Sequence, residues 1–234
     1  MESAAGREPM RETTEAPVEI PLFPLRTVLF PGMPLPLQIF EERYKTMTRE
    51  LLAQGGSFGV ILIREGSEVG GGAVPYPVGT TAVIEESREL PNGRFILAAR
   101  GQRRFRLLRM LQPRPYPYGE VELIDDDDGR EDAKVARALE TVRATFPAYF
   151  RLALSLTDQW AKGMKLPSRP HNLVDFLAPW IQVDEIVKQR LLEIEPAAQR
   201  LAHLAEVLDD LLTRTREQVI EHQRQKFGGL GSGN

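Results

Sequence analysis

Residues Ile20 to Phe40 read IPLFPLRTVLFPGMPLPLQIF. The stretch is too apolar to lie in water and too rich in proline to be helix. Pro21, Pro24, Pro31, Pro34 and Pro36 each fix φ and lack an amide hydrogen, so no helical turn survives across them. Short strands remain, Ile20–Leu25 and Leu35–Ile39. They are joined by a turn at Pro31-Gly32, where Gly32 can take positive φ. Proline donates nothing to a sheet ladder, which places these strands at a sheet margin or beside bulges.

Outward from this stretch, the following residues supply the core it needs. Glu41–Gln54 reads as a helix with Tyr44, Met47, Leu51 and Leu52 on one face, acids in its first turn and Gly55-Gly56 at its end. Phe58–Ile63 is a continuous apolar run, the mark of a strand buried on both faces. Gly66–Gly72 is a surface loop. A phosphate loop needs lysine and a hydroxyl after its glycines, and Ala73-Val74 stand there instead. Val78–Leu90, Arg94–Leu111 and Tyr118–Ile124 are further strands, and Asn92-Gly93 predicts a type I′ hairpin. Short strands with one inserted helix predict a small mixed β-barrel, whose closure removes open edges.

The character changes at Asp125-Asp126-Asp127-Asp128-Gly129, read as a solvated acidic linker. Everything beyond it is helical. Val135, Leu139, Val142, Phe146, Tyr149 and Ala153 form an apolar stripe on a helix that Pro147 kinks. Asn172 is expected to cap a helix carrying Leu173, Phe176, Leu177, Trp180 and Ile181 on one face, and Asp184 to cap another. Pro196 opens the last helix, whose seam of Leu201, Leu204, Leu208 and Leu211 turns polar after Leu212. The division is an arm over residues 1–17, a β-rich domain over 18–124, the linker over 125–129, a helical bundle over 130–226 and a tail over 227–234. The fold class is α+β.

Composition excludes several chemistries. The 234 residues hold no cysteine, so disulfides, thiolate metal sites and cysteine nucleophiles are absent. No apolar run approaches the ~20 residues of a membrane helix, and the charged first residues are not a secretory signal, so a cytoplasmic protein is expected. Net charge is −3, and residues 1–124 carry as many acids as bases. No G-x-x-x-x-G-K-[ST] and no G-x-S-x-G occurs. His171, His203 and His222 read as surface or capping residues, since a metal site needs convergent partners. No catalytic residue, cofactor or metal is expected. Arg100, Arg103, Arg104, Arg106 and Arg109 crowd one strand around Phe105. They suggest either a single-strand nucleic-acid stripe or a face paired with Glu85, Glu86 and Glu89. Alternation splits the arginines between two faces, and the neutral balance favours the paired face, so nucleic acid is not expected.

The opening pattern I-P-L-F-P-L-R-x-V-L-F-P-G-M-x-x-P-L closely resembles the start of the amino-terminal domain of Lon proteases. Gly79-Thr80, Ala82-Val83-Ile84, Leu90-Pro91-Asn92-Gly93-Arg94-Phe95 and Gly101-Gln102-Arg103 follow in the same order. The resemblance runs from Val18 to Leu212. It implies a non-catalytic polypeptide-binding protein, a substrate-recognition or adaptor module without the family's ATPase and peptidase domains. Its partners would be unfolded or partly folded polypeptides and a protease or ATPase. Leu29, Phe30, Pro31 and Met33 offer a candidate polypeptide contact, because methionine adapts to irregular partners; the same side chains also suit a plug inside the barrel. The barrel is similar in outline to PUA-type folds, so an RNA-binding module is the alternative, together with a small-molecule regulatory pocket between barrel and helices. The last helix is also able to pair with a second copy.

Overall fold

The computed structural model describes residues 15–112, 114–126, 133–157, 159 and 164–228. The proline-rich stretch builds two strands, β1 (Val18–Leu25) and β2 (Pro34–Ile39), with Gly32 at φ 77° in the turn before β2. After α1 (Glu42–Gln54) come β3 (Phe58–Glu65), β4 (Val74–Glu89), β5 (Phe95–Met110) and β6 (Tyr118–Leu123). The strand order is β2-β5-β4-β3-β1-β6, and β6 also pairs with β5, so the sheet closes on itself.

The prolines are accommodated in two ways. β1 is not marginal. Residues 18–21 run antiparallel to β6, and residues 22–25 run parallel to β3. Leu22 N–H donates to Pro117 O at 2.9 Å, so alternation turns the nitrogen of Pro24 to that same side, beyond the reach of β6. The nitrogen of Pro21 faces β3 before that pairing starts. Neither proline leaves a gap in a ladder. β2 is the marginal strand and, among the described residues, pairs only with residues 95–100 of β5. Gly101 N–H donates to Met33 O, which fixes the odd positions of β2 toward β5 and turns Pro34 and Pro36 away. A slot of about 180 Å³ lies there between residues 23–25 and residues 37–40.

The β4–β5 hairpin is closed differently from the expected type I′ turn. Gly93 N–H donates to Leu90 O, Leu90 N–H donates to Arg94 O, and Gly93 has φ 70°. This is a type I turn followed by a left-handed glycine. Pro91 selects it, because its fixed φ suits the second position of a type I turn.

α1 lays Tyr44 and Met47 into the barrel against Phe23, Phe58 and Leu97. Leu52, expected on that face, is 45% exposed. It lies about a quarter turn from the Tyr44–Met47–Leu51 line at 3.6 residues per turn. Thr48 takes the buried position instead. Burial pushes the phenols of Tyr44 and Tyr116 up to about 12, and the Glu50 carboxylate that accepts from Tyr116 adds to its shift. In an unfolded chain they ionise near pH ~10. The unfolded state therefore loses these protons first, and their contribution to stability, complete below pH ~10, fades as pH rises toward the folded value. Tyrosinate absorbance and circular dichroism followed together should show these two rings ionising only as structure is lost. Ionisation of all five tyrosines inside an intact spectrum would show that the two are solvated.

The helical part packs α2 (Ala133–Ser155), unbroken through Pro147, along α5 (Ala197–Gly228). Val142, Phe146 and Tyr149 meet Leu201, Leu204 and Leu208 in one cluster. α3 (Pro170–Leu177) follows Arg169 with Pro170 in its first turn, so Asn172 lies inside it and caps nothing. A 3-10 turn (Ala178–Trp180) leads on to α4 (Glu185–Glu193), where Asp184 holds the cap position without a side-chain bond. Val28, Phe30, Leu62, Val78 and Ile124 join the helical cluster, so one apolar core crosses from barrel to helices. α4 is the strut. Glu185 Oε2 accepts from Val28 N at 2.6 Å, and Gln189 Nε2 donates to Val78 O at 3.0 Å. Of the expected arm, linker and tail, residues 1–14, 127–129 and 229–234 lie outside the described residues.

Candidate functional site

The proline loop divides into an anchored half and a surface half. Leu29 sits in the barrel core, and Thr80 Oγ1 donates to its carbonyl at 2.6 Å. Phe30 is 0% exposed in the joint with the helices. Gly101 is held against this loop so closely that a Cβ there would stand 2.3 Å from Phe30 O. Pro31 and Met33 are half-buried and, with Gly32 and Pro34, form one wall of a groove of about 550 Å³. The facing wall is Pro167, Asn172, Asp175, Phe176, Pro179 and Trp180.

The facing wall went unseen in the sequence. Periodicity put Trp180 on a buried face with Phe176, yet the indole is 50% exposed and packs edge-on against Phe150 at 5.8 Å. α3 stops at Leu177 and the backbone tightens into the 3-10 turn through Pro179, which alters the side-chain period and turns the ring outward. Ala178-Pro179-Trp180 carries that signal: a proline beside a tryptophan ends a helical face. Pro179 and Trp180 also border a second hollow of about 860 Å³ that passes Ile181 and Val183 to Leu211 and Arg214. The two depressions adjoin at the indole.

Below the first groove lies a buried polar network. Arg104 of β5, 1% exposed, pairs with Asp126 and donates to Leu192 O at 2.6 Å and Ile194 O at 2.8 Å. Arg200 of α5 pairs with Asp175, donates to Leu191 O at 2.8 Å and stands 3.2 Å from His171 Nδ1. His171 Nδ1 is also 3.5 Å from Asp126 Oδ1, which links the two pairs. His171 is therefore an interior residue, not a surface one, and Asp126, though solvent-exposed, is a paired charge. Burial pushes the Asp175 carboxyl up, and Arg200 offsets this only in part. Burial likewise pushes the Arg104 guanidinium down, with Arg200 adding to the shift.

The arginine stripe is compensated along its length. Arg100 pairs with Glu85 at 2.6 Å, Arg103 with Asp125 at 2.7 Å and Glu15 at 3.0 Å, Arg106 with Glu195, and Arg109 with Glu120 at 2.7 Å. Only Arg100 takes one of the three glutamates expected from the sequence. The other arginines find partners on β6, on the segment after it, ahead of β1 and beside α4. Among the described residues there is no cluster of three metal-capable side chains, and no helix is long and apolar enough to cross a membrane.

Comparison with known proteins bears on the family and fold that carry this groove. A family model described as the ATP-dependent protease La (LON) substrate-binding domain matches residues 19–210. A Lon protease of Syntrophus aciditrophicus (strain SB) is 25% identical over 242 residues, covering 94% of this chain and 31% of that protease. Lon protease 2 of Myxococcus xanthus is 26% identical over 205 residues, covering 87% and 24%. The chain thus spans less than a third of the length of these relatives. Among solved structures, a Lon N-terminal domain protein from Xanthomonas campestris aligns with a TM-score of 0.57 and 29% identity, over 80% of this chain and 96% of that one. The N-terminal domain of Mycobacterium avium complex Lon protease, 18% identical with a TM-score of 0.57, shares the fold. The chain belongs to the Lon substrate-binding domain family.

Proposed function

We propose that the chain binds polypeptide without catalysis, in the groove between the Pro31–Pro34 loop and the Phe176–Trp180 segment. The observation that carries this reading is the groove itself: an open, largely apolar depression with a half-exposed tryptophan on its wall. Its volume lies within the roughly 300–1,000 Å³ of ligand sites, and a rigid aromatic beside an adaptable methionine suits varied apolar side chains. The role fits a recognition step, in which bound polypeptide is presented to a protease or ATPase partner. The paired arginines do not favour nucleic acid, since a cation held by a carboxylate has less to offer a phosphate.

Trp180 supplies both probe and test. Its fluorescence, read in a Trp160→Phe background, should shift when unfolded casein is titrated in. Trp180→Ala, with binding read by titration calorimetry, should weaken it by about tenfold or more, as loss of an aromatic anchor does. The affinity should change little between low and moderate salt, because apolar contact releases few counterions. Unchanged affinity in Trp180→Ala, or a steep salt slope, would remove polypeptide binding from this groove.

A further inference from the structure

Within this largely apolar groove, where Asn172 is the other polar side chain, one charged group is out of place. Asp175 is 5% exposed, yet it belongs to the lining. A carboxylate in such surroundings needs full compensation, because burying an unpaired charge is costly. Its compensation is partial. Arg200 reaches only Oδ1, and its other donors go to Leu191 O and His171. Among the described residues no hydrogen bond is made to Asp175 Oδ2. Burial raises the Asp175 carboxyl most, and Asp126, close to His171, adds a second negative charge that acts against its ionised form, while Arg104 supplies a smaller positive influence. Two arginines bond the backbone of the rim, Arg100 to Gly32 O at 3.0 Å and Arg143 to Pro167 O. The charge of Arg100 is offset by Glu85.

We propose that Asp175 is the specificity determinant of the groove, selecting a polypeptide segment that sets one lysine or arginine between apolar residues. The cationic head bonds Asp175 Oδ2, while its neighbours pack on Met33, Phe176 and Trp180. The aliphatic stem of a lysine or arginine suits this setting, since it lies along apolar walls and carries only its tip to the carboxylate. A neutral donor would satisfy the oxygen without offsetting the charge, and an acidic side chain would meet a like charge. Hydrogen bonds to charged groups are the stronger class, so discrimination should be large. This inference rests on the polypeptide-binding reading above.

The test varies the ligand first, which leaves the protein intact. Four short peptides would share apolar flanks and differ at one central position: lysine, norleucine, glutamine or glutamate. Binding would be read by Trp180 fluorescence in the Trp160→Phe protein. Lysine should bind about tenfold or more tighter than norleucine, with glutamate weakest. Asp175→Asn, checked for an unchanged circular dichroism spectrum, should bring the lysine and norleucine affinities together. If that variant does not fold, the peptide series alone decides. Equal affinity for all four peptides would overturn the role of Asp175 while leaving the groove as a polypeptide site. A preference for glutamate would overturn it in favour of the rim arginines. Binding of none would overturn both readings.

Discussion

Replacing Arg104 with methionine is expected to destabilise the protein by about 3 kcal/mol, the lower end of the cost of breaking a buried ion pair. Methionine fills much of the volume, so the loss is electrostatic. The Asp126 carboxylate and the carbonyls of Leu192 and Ile194 all lose their donor at once, where barrel and helices meet. The lower end applies because the Asp126 side chain keeps 30% of its exposure. At about 2–4 °C per kcal/mol for a chain of this size, the melting temperature should fall on the order of 10 °C. Urea unfolding measures it directly. A loss below about 0.5 kcal/mol, typical of surface substitutions, would show that water already serves these acceptors.

Phe30→Ala is expected to cost about 3–5 kcal/mol, the range for deleting a buried aromatic side chain. Phe30 fills the space among Val28, Leu62, Val78 and the helices, and Gly101 closes over its carbonyl, so the site has little room to collapse. Trp180→Ala should leave the midpoint of urea unfolding nearly unchanged, since half of the indole is already in water. If both substitutions lowered the midpoint alike, the exposed wall of the groove would be part of the core.

These contrasts show how far the sequence reaches. The opening stretch declares its strands and its Gly32 turn because proline and glycine act locally, through fixed φ and positive φ. The helical stripes are legible for the same reason: Val142, Phe146 and Tyr149 need only one helix to share a face. What sequence cannot show is what lies across from a face. Alternation turns Arg104 out of the barrel and away from Phe105, correctly, but says nothing of the helices that cover that side. His171 is buried by the same covering, and Asp126 is drawn to its edge. The site was half legible: Pro31 and Met33 come from the proline loop, whereas Asp175 and Trp180 reach the groove from more than a hundred residues further along the chain.

The slot between β1 and β2 has a mechanical consequence. At one end of the barrel β6 laces β1 to β5 with backbone bonds. At the other, Pro24 on one lip brings no amide hydrogen, nor does Pro36 just before the opposite lip, and alternation leaves Gln38 and Phe40 to face the gap with one each. Among the described residues no strand pairing joins the lips, so parting them breaks no ladder. The cylinder is in effect a split ring, held shut on that side by the side chains of α1 and its neighbours. Heat or force should open it along this line first, with the Gln38 amide exchanging early and the amides of β3 and β4 late. The same scarcity of donors leaves a stray strand little purchase on the slot, so this side of the barrel is a poor template for growing a sheet.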